Sequence, residues 1–324
     1  MSLPPDADRT EIVREGTGYL LRIGGADQSF VNLDDPTHLE FDYVQRMADV
    51  IDLLGEPGEP MRFVHVGGAG LTLPRYVTHT RPTSAQIVLE PAEHITARVR
   101  EELPLPRRSG IKVRALDGAA GLAAMPDTYA DVIVLDAYDG PQVPAHLVTR
   151  NFFADVARVM AAHGTVLINL GDTAPFTWSR RVLAGLRLVL PELMVSAEPA
   201  TLKGRRFGNL LVVASRHEVP SAALRRRAAG SPFPYSVLGP AEVASRLAGG
   251  TPFTADDTEP SPAPPNGRTS FLPHRVARRS PLGTARWFVR GGQERRASAR
   301  HRVAQDPRPA RPRPRRTPRA RWPW

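Results

Sequence analysis

The 324-residue chain contains no cysteine, so it forms no disulfide and no thiolate metal site. Its nine histidines fall in no pair with zinc-like spacing, and no structural metal is expected. No apolar stretch approaches the roughly 20 residues needed to span a bilayer. The N-terminus, Met1-Ser-Leu-Pro-Pro-Asp6, lacks the basic and apolar regions of a signal peptide. These absences lead to the expectation of a cytoplasmic protein with no membrane association. Lysine is nearly missing too, since only Lys112 and Lys203 accompany the arginines.

The net charge of +10 points to nucleic acid until it is divided along the chain. Residues 266–324 hold 17 arginines against Glu294 and Asp306, whereas residues 1–265 hold 26 basic and 31 acidic groups, a balance of −5. A basic tail therefore follows a mildly acidic body, and the 41% of hydrophobic residues suffices for a core in that body. The tail has no hydrophobic periodicity and ends in an Arg/Pro alternation, so a disordered segment is expected. It reads either as a basic arm for nucleic acid or anionic membrane, or as a solvated tail without a partner. The second is favoured, which makes nucleic acid an unlikely partner except through this tail.

From the start, residues 1–10 read as a mobile lead-in. Glu11 to Leu33 alternates loosely between glycine pairs, as in a small antiparallel β-extension. Leu39, Tyr43, Met47, Val50, Ile51 and Leu54 recur at three and four, which predicts a helix over Thr37–Leu54. Residues 11–55 are then a β-extension and helix, 56–265 the main domain and 266–324 the tail. Within the main domain, strands are expected at Phe63–Val66, Ile87–Leu89, Ile111–Leu116, Ala130–Leu135 and Gly164–Leu170. Helices are expected between them, with Pro91–Leu103 and Phe152–Ala161 the clearest. Such alternation predicts an α/β, Rossmann-like parallel sheet with helices on both faces. After a helix over Ser179–Leu190, segments 193–197 and 209–214 read as two further strands able to form an antiparallel pair. Short helices over Ala222–Ala229 and Ala241–Leu247 close the domain.

The first strand runs into Gly67, Gly68 and Gly70, where it must turn into a helix. Glu90 ends the next strand, about twenty residues after the last glycine, where a Rossmann-like unit places a carboxylate for ribose hydroxyls. Leu73 stands where a dinucleotide fingerprint has its third glycine, so adenosine without phosphates fits better than a dinucleotide. Glycines serving only the turn are the alternative. Asp117 and Asp136 also end strands, and in open α/β sheets ligands lie beyond the carboxyl ends of the strands.

Three carboxylates at strand ends beside a glycine turn resemble the Class I S-adenosylmethionine-dependent methyltransferase-like fold. Within it, Gly67-Gly-Ala-Gly-Leu-Thr-Leu-Pro-Arg, Leu89-Glu90-Pro, Leu116-Asp117-Gly118 and Asp136-Ala-Tyr-Asp139-Gly-Pro-Gln-Val-Pro144-Ala resemble the polyamine aminopropyltransferase (spermidine synthase) family over roughly residues 18–216. That resemblance implies transfer of an aminopropyl group from decarboxylated S-adenosylmethionine to an amine acceptor. It implies Asp136 as general base and Asp139, Tyr43 and Gln28 as substrate-binding. It assigns Gly67, Gly68, Gly70, Glu90, Asp117, Gly118 and Pro144 to the nucleoside of the co-substrate. No permanently bound cofactor is implied, the partner is a small-molecule amine, and a homodimer is expected. For Asp136 and Asp139 an Asx turn after the strand is the alternative.

The chain departs from the family at amine-side positions. Tyr43-Val44-Gln45 stands where the family has Tyr-His-Glu, and Gly70 stands near its acidic residue in the glycine loop. Methyl transfer from S-adenosylmethionine itself, or a non-catalytic nucleoside-binding protein, are the competing readings. Deleting residues 266–324 is expected to leave the melting temperature nearly unchanged and to remove any salt-sensitive retention on DNA. A large loss of stability would show instead that the tail packs on the domain.

Overall fold

The computed structural model describes residues 10–265, so the expected mobile residues 1–9 and the expected tail lie outside the described residues. The β-extension is a three-stranded antiparallel sheet of β1 (Thr10–Glu15), β2 (Gly18–Ile23) and β3 (Ala26–Val31). Then come α1 (Asp42–Ile51), β4 (Arg62–Val66), α2 (Thr72–Thr80), β5 (Ala85–Leu89), α3 (Glu93–Glu102), β6 (Ile111–Arg114), α4 (Gly118–Ala123) and β7 (Ala130–Leu135). The second half holds a short 3-10 turn (Ala145–Val148), α5 (Arg150–Val159), β8 (Met160–Asp172), α6 (Thr177–Arg187), β9 (Glu192–Ala197), α7 (Pro199–Leu202), β10 (Gly208–Ser215), α8 (Ser221–Ala229), β11 (Ser236–Leu238) and α9 (Pro240–Arg246).

The main sheet has eight strands in the order β11-β9-β10-β8-β7-β4-β5-β6. Strands β6, β5, β4, β7 and β8 run parallel, which is the Rossmann-like part. The sheet is mixed rather than wholly parallel. Strand β10 inserts between β8 and β9 and runs antiparallel to both, so the expected antiparallel pair forms, and β11 adds a further antiparallel edge.

Both faces are covered, and the two-residue period of the strands decides which side chain goes where. Val64, Val66, Ile133, Leu135, Val166, Ile168, Leu210 and Val212 pack with side chains of α5, α6 and α9. Their neighbours Phe63, Val132, Val134, Leu167, Leu211 and Val213 pack with α1, α2 and α8. His65 follows the second set, stacked on Phe63 and hydrogen-bonded to Gln86 at 3.0 Å. Burial drives its pKa down to about 4, so it is neutral at physiological pH.

Helix α1 begins at Asp42, not at Thr37 as the periodicity predicts. The physical reason is local. Asp35 Oδ1 accepts from the Thr37 amide at 3.0 Å and its hydroxyl at 2.5 Å, a turn that competes with helix. The Gln45 side chain then folds back onto the Leu39 carbonyl. Strand β6 likewise ends at Arg114, short of the expected Leu116.

Arg46 fastens α1 to the sheet. Its guanidinium, 1% exposed, donates to the carbonyls of Ser196 at 2.9 Å and Asn209 at 3.2 Å, and pairs with Asp42 at 3.2 Å. Removing it strands two buried carbonyls and a half-paired carboxylate. Arg46→Ala is expected to cost about 3–5 kcal/mol in urea unfolding, and Arg46→Met less because its stem refills the space.

Candidate active site

The site lies at the carboxyl ends of β4, β5 and β7, where the chain order reverses between β4 and β7. The Asp136 amide donates to the Val66 carbonyl at 2.9 Å. Gly67 adopts φ +88°, and a Cβ there would lie 2.2 Å from the Asp136 carbonyl oxygen. Only glycine meets both demands.

Asp136 sits behind the wall of a cleft lined by Ala26, Gln28, Tyr43, Tyr138, Pro141 and Asn169 among others, of about 480 Å³ including its open mouth. Asn169 Nδ2 donates to Asp136 Oδ1 at 3.0 Å, and Tyr43 also hydrogen-bonds this carboxylate. Burial raises the Asp136 pKa to about 6, and the bonds from Asn169 and Tyr43 oppose that rise. The result is a carboxylate poised close to neutrality. Tyr43 and Tyr138 themselves ionise only well above the ordinary tyrosine range, because of burial and the Asp136 charge, so both are neutral hydroxyls.

Glu90 immediately follows β5 and faces the glycine loop. Its Oε2 accepts from the amides of Gly68 at 3.0 Å and Ala69 at 3.3 Å, and its Oε1 accepts from Ala92 at 3.0 Å. Three backbone donors fix the carboxylate's orientation and leave further lone pairs for a ligand hydroxyl. Gly68 lies close over Val88 and Glu90, where a Cβ would come within 2.7 Å of Val88.

Asp117 is the N-cap of α4 rather than the last residue of a strand. Its Oδ1 accepts from Ala119 at 2.9 Å and Ala120 at 3.2 Å, and its Oδ2 meets His146 Nε2 at 2.8 Å. Burial pushes this carboxyl up, but His146 and the two amides outweigh it and leave the pKa below the ordinary value. Gly118 lets α4 settle on β4, since a Cβ would fall 2.2 Å from Val66. Pro144 opens the 3-10 turn that carries His146.

The remaining motif residues are placed differently. Gly70 is packed under the β-extension: its amide donates to Ser29 Oγ at 3.1 Å, and a Cβ would lie 2.7 Å from Ser29. Val44 is buried in the core with Met47 and Val50, and Gln45 is spent on Leu39, so neither lines the cleft. Asp139 is exposed and exchanges backbone hydrogen bonds with Gln142, while its neighbours Tyr138, Gly140 and Pro141 line the cleft.

Sequence reasoning passed over Asn169, Tyr138, Asp27 and His146. Asn169 had a readable signal, being an amide within the apolar run 166–170, and a buried polar side chain there needs a partner. Asp27 comes from β3 and reaches the cleft only through tertiary packing.

Comparison with known proteins bears out the resemblance drawn from the motifs. A polyamine aminopropyltransferase of Chromobacterium violaceum is 27% identical over 226 residues, which is 67% of this chain and 81% of the relative. Two proteins of Neisseria meningitidis that the chain also matches, each at 27% identity over 160 residues, 49% of this chain and 60% of the relative, carry the same name. A probable spermidine synthase from Corynebacterium glutamicum superimposes with a TM-score of 0.71 at 26% identity, over 77% of this chain and 94% of that one. A spermidine synthase solved with the transition-state analogue AdoDATO shares the fold, with a TM-score of 0.50 at 14% identity over 76% of this chain and 83% of that one. No protein-family profile matches the chain.

The raised Asp136 pKa carries a stability consequence. A carboxyl whose folded pKa lies above its unfolded value contributes stability below about pH 4 that is lost as pH rises through about 6. Asp136→Asn is therefore expected to stabilise the protein by about 1–3 kcal/mol at pH 8 and to change it little at pH 4, read by urea unfolding.

Proposed function

We propose that the protein transfers an aminopropyl group from decarboxylated S-adenosylmethionine to an amine, in the manner its aminopropyltransferase relatives are named for. The observation that carries this reading is Asp136, held by Asn169 and Tyr43 beside the glycine loop with a pKa of about 6. An amine of pKa roughly 10 must lose a proton before it attacks. A base near 6 narrows that gap to about four units, against about six for an ordinary aspartate.

In the reaction the amine nitrogen gives its proton to Asp136 and its lone pair to the carbon bound to sulfur. The carbon–sulfur bond breaks, its electrons return to sulfur, and neutral methylthioadenosine leaves. Glu90 holds the ribose hydroxyls, and Asp117 and Gly118 the adenine edge. Gly67 and Gly68 let the nucleoside approach the backbone. Pro144 completes its pocket, and Tyr43, Gln28 and Asp139 bind the amine. Because the sulfonium charge disappears on the way to products, in-line alignment of nitrogen and carbon is the main source of rate.

Cytoplasmic location, a homodimer and a domain boundary near Pro265 belong to the same proposal. No helix among the described residues is long and apolar enough to cross a membrane. Methyl transfer from intact S-adenosylmethionine is the second reading. It is favoured by Gly70, a glycine packed on Ser29 near where the family's loop has an acidic residue that would contact the amine.

Incubation with each sulfonium compound and a panel of amines, with mass analysis of the nucleoside released, separates the two. Methylthioadenosine identifies aminopropyl transfer and S-adenosylhomocysteine methyl transfer. With the productive pair, Asp136→Asn is expected to lower turnover about 10²- to 10⁴-fold, and kcat/KM of the wild type to rise through about pH 6. In the same series Glu90→Ala is expected to weaken methylthioadenosine binding by about 1.5–3 kcal/mol. Turnover that survives Asp136→Asn would remove it as the base.

A further inference from the structure

We propose that residues 251–264 form a strap that holds the cleft loop in its working geometry, and that Ser261 is the positioning residue through which the strap acts. This rests on the reading of the cleft as a transfer site, and the strap lies C-terminal to the stretch 18–216 that carries the family motifs. Pro252, Pro260, Pro262 and Pro264 have no amide to give, and the strap joins no helix or strand. Side chains fasten it instead. Arg181 of α6 lies 3.8 Å over the centre of the Phe253 ring, donates to the Thr251 carbonyl at 2.8 Å and pairs with Asp257 at 2.7 Å. Phe253 is fully buried against Trp178, and its carbonyl accepts from the Arg150 amide at 2.9 Å. Trp178 Nε1 donates to the Glu259 carbonyl at 3.3 Å.

From this anchorage the strap reaches the loop 136–144 that follows β7. Ser261 is 0% exposed, and its amide donates to the Val143 carbonyl at 3.0 Å. The Val143 amide donates in return to Ser261 Oγ at 2.9 Å, and Gln142 Nε2 donates to the Ser261 carbonyl. Pro264 then stands with Gly140 and Pro141 in the cleft wall. The place of the grip decides its consequence. Before it, the loop carries Tyr138, Gly140 and Pro141 into the cleft; after it, Pro144 opens the turn whose His146 meets Asp117 at 2.8 Å. Packing does not support the loop's tip, since a Cβ at Gly140 would meet nothing within 4 Å beyond its chain neighbours. Without Ser261 Oγ the amide of Val143, a residue 1% exposed, loses its acceptor, and the loop gains by opening toward water.

A loop that is closed only part of the time lowers apparent affinity by that fraction, while saturating ligand selects the closed form. A loss of overall stability does neither in molecules that remain folded. Ser261→Ala, assayed well below its melting temperature, is therefore expected to raise KM for the sulfonium co-substrate about 10-fold, with kcat at saturation changed less. Amide hydrogen exchange of the unliganded protein is expected to quicken in a peptide covering 139–144 and to stay unchanged in β4 and β10. Support requires both results, and the absence of either overturns the proposal. Should Ser261→Ala not fold, Gln142→Met loosens the same clasp from its half-buried loop side and is expected to move KM and exchange in the same direction.

If wild type transfers nothing from either sulfonium compound to any amine, the transfer reading fails separately. Calorimetric titration with methylthioadenosine then replaces KM. Affinity about 10-fold weaker in the variant, with faster exchange at 139–144, supports the strap. Affinity left unchanged, or no binding by wild type, overturns it.

Discussion

The contact between Gly67 and Asp136 sets the geometry of everything around it. Two parallel strands, β4 and β7, end side by side, and the last hydrogen bond between them runs from the Asp136 amide to the Val66 carbonyl. Beyond it the chains must part, one into the glycine loop and the other into the loop that carries Tyr138 and Asp139. With φ at +88° and the Asp136 carbonyl only 2.2 Å from where a Cβ would stand, position 67 admits glycine alone without displacing Asp136. The glycine loop then reaches Glu90 through two of its amides, so Asp136 and Glu90 are positioned by one turn.

Around that turn, stability and reactivity pull in opposite directions. Burial disfavours a charged Asp136, and the bonds from Asn169 and Tyr43 recover part of the loss. Stronger compensation would steady the fold and make a poorer base, since each added donor lowers the pKa away from that of the amine. A balance near 6 lies between an ordinary aspartate and a carboxyl too fully buried to ionise. The orphaned Oδ1 of Asn169 fits the same picture, as a group whose hydrogen bond is deferred until a ligand arrives.

The parallel half of the fold was legible because its strands are short β-branched runs bounded by glycine, and the two-residue alternation is so regular that Phe63 and Val64 go to different cores. Helix α4 was expected only from the alternation, since Gly118-Ala-Ala-Gly-Leu-Ala carries no apolar stripe and is held by the Asp117 cap and by close packing on Val66. Strand β11 is three residues long and forms only because β9 offers it an edge. In the site, Glu90, Asp117 and Asp136 were visible as acids at or just beyond strand ends. Asp27, Asn169 and His146 were not, because their contacts arise from side chains meeting across separate elements.

The replacement at position 70 shows why a motif departure cannot be read one residue at a time. A carboxylate missing from the glycine loop looks like a lost amine contact. In the folded chain its space is taken by β3: Ser29 Oγ accepts from the Gly70 amide, Val31 lies 3.1 Å from where a Cβ would be, and Thr72 Oγ1 donates to the Phe30 carbonyl at 2.9 Å. Gly70→Asp would therefore have to push the β-extension away before its charge could reach a ligand. The same clamp holds β3 against the loop, and β3 begins with Ala26, Asp27 and Gln28, all of which line the cleft. Closing the space at Gly70 and bringing Asp27 to the cleft are two results of one strand docking, so a glycine loop without an acid is matched by a cleft that takes its carboxylate from the extension.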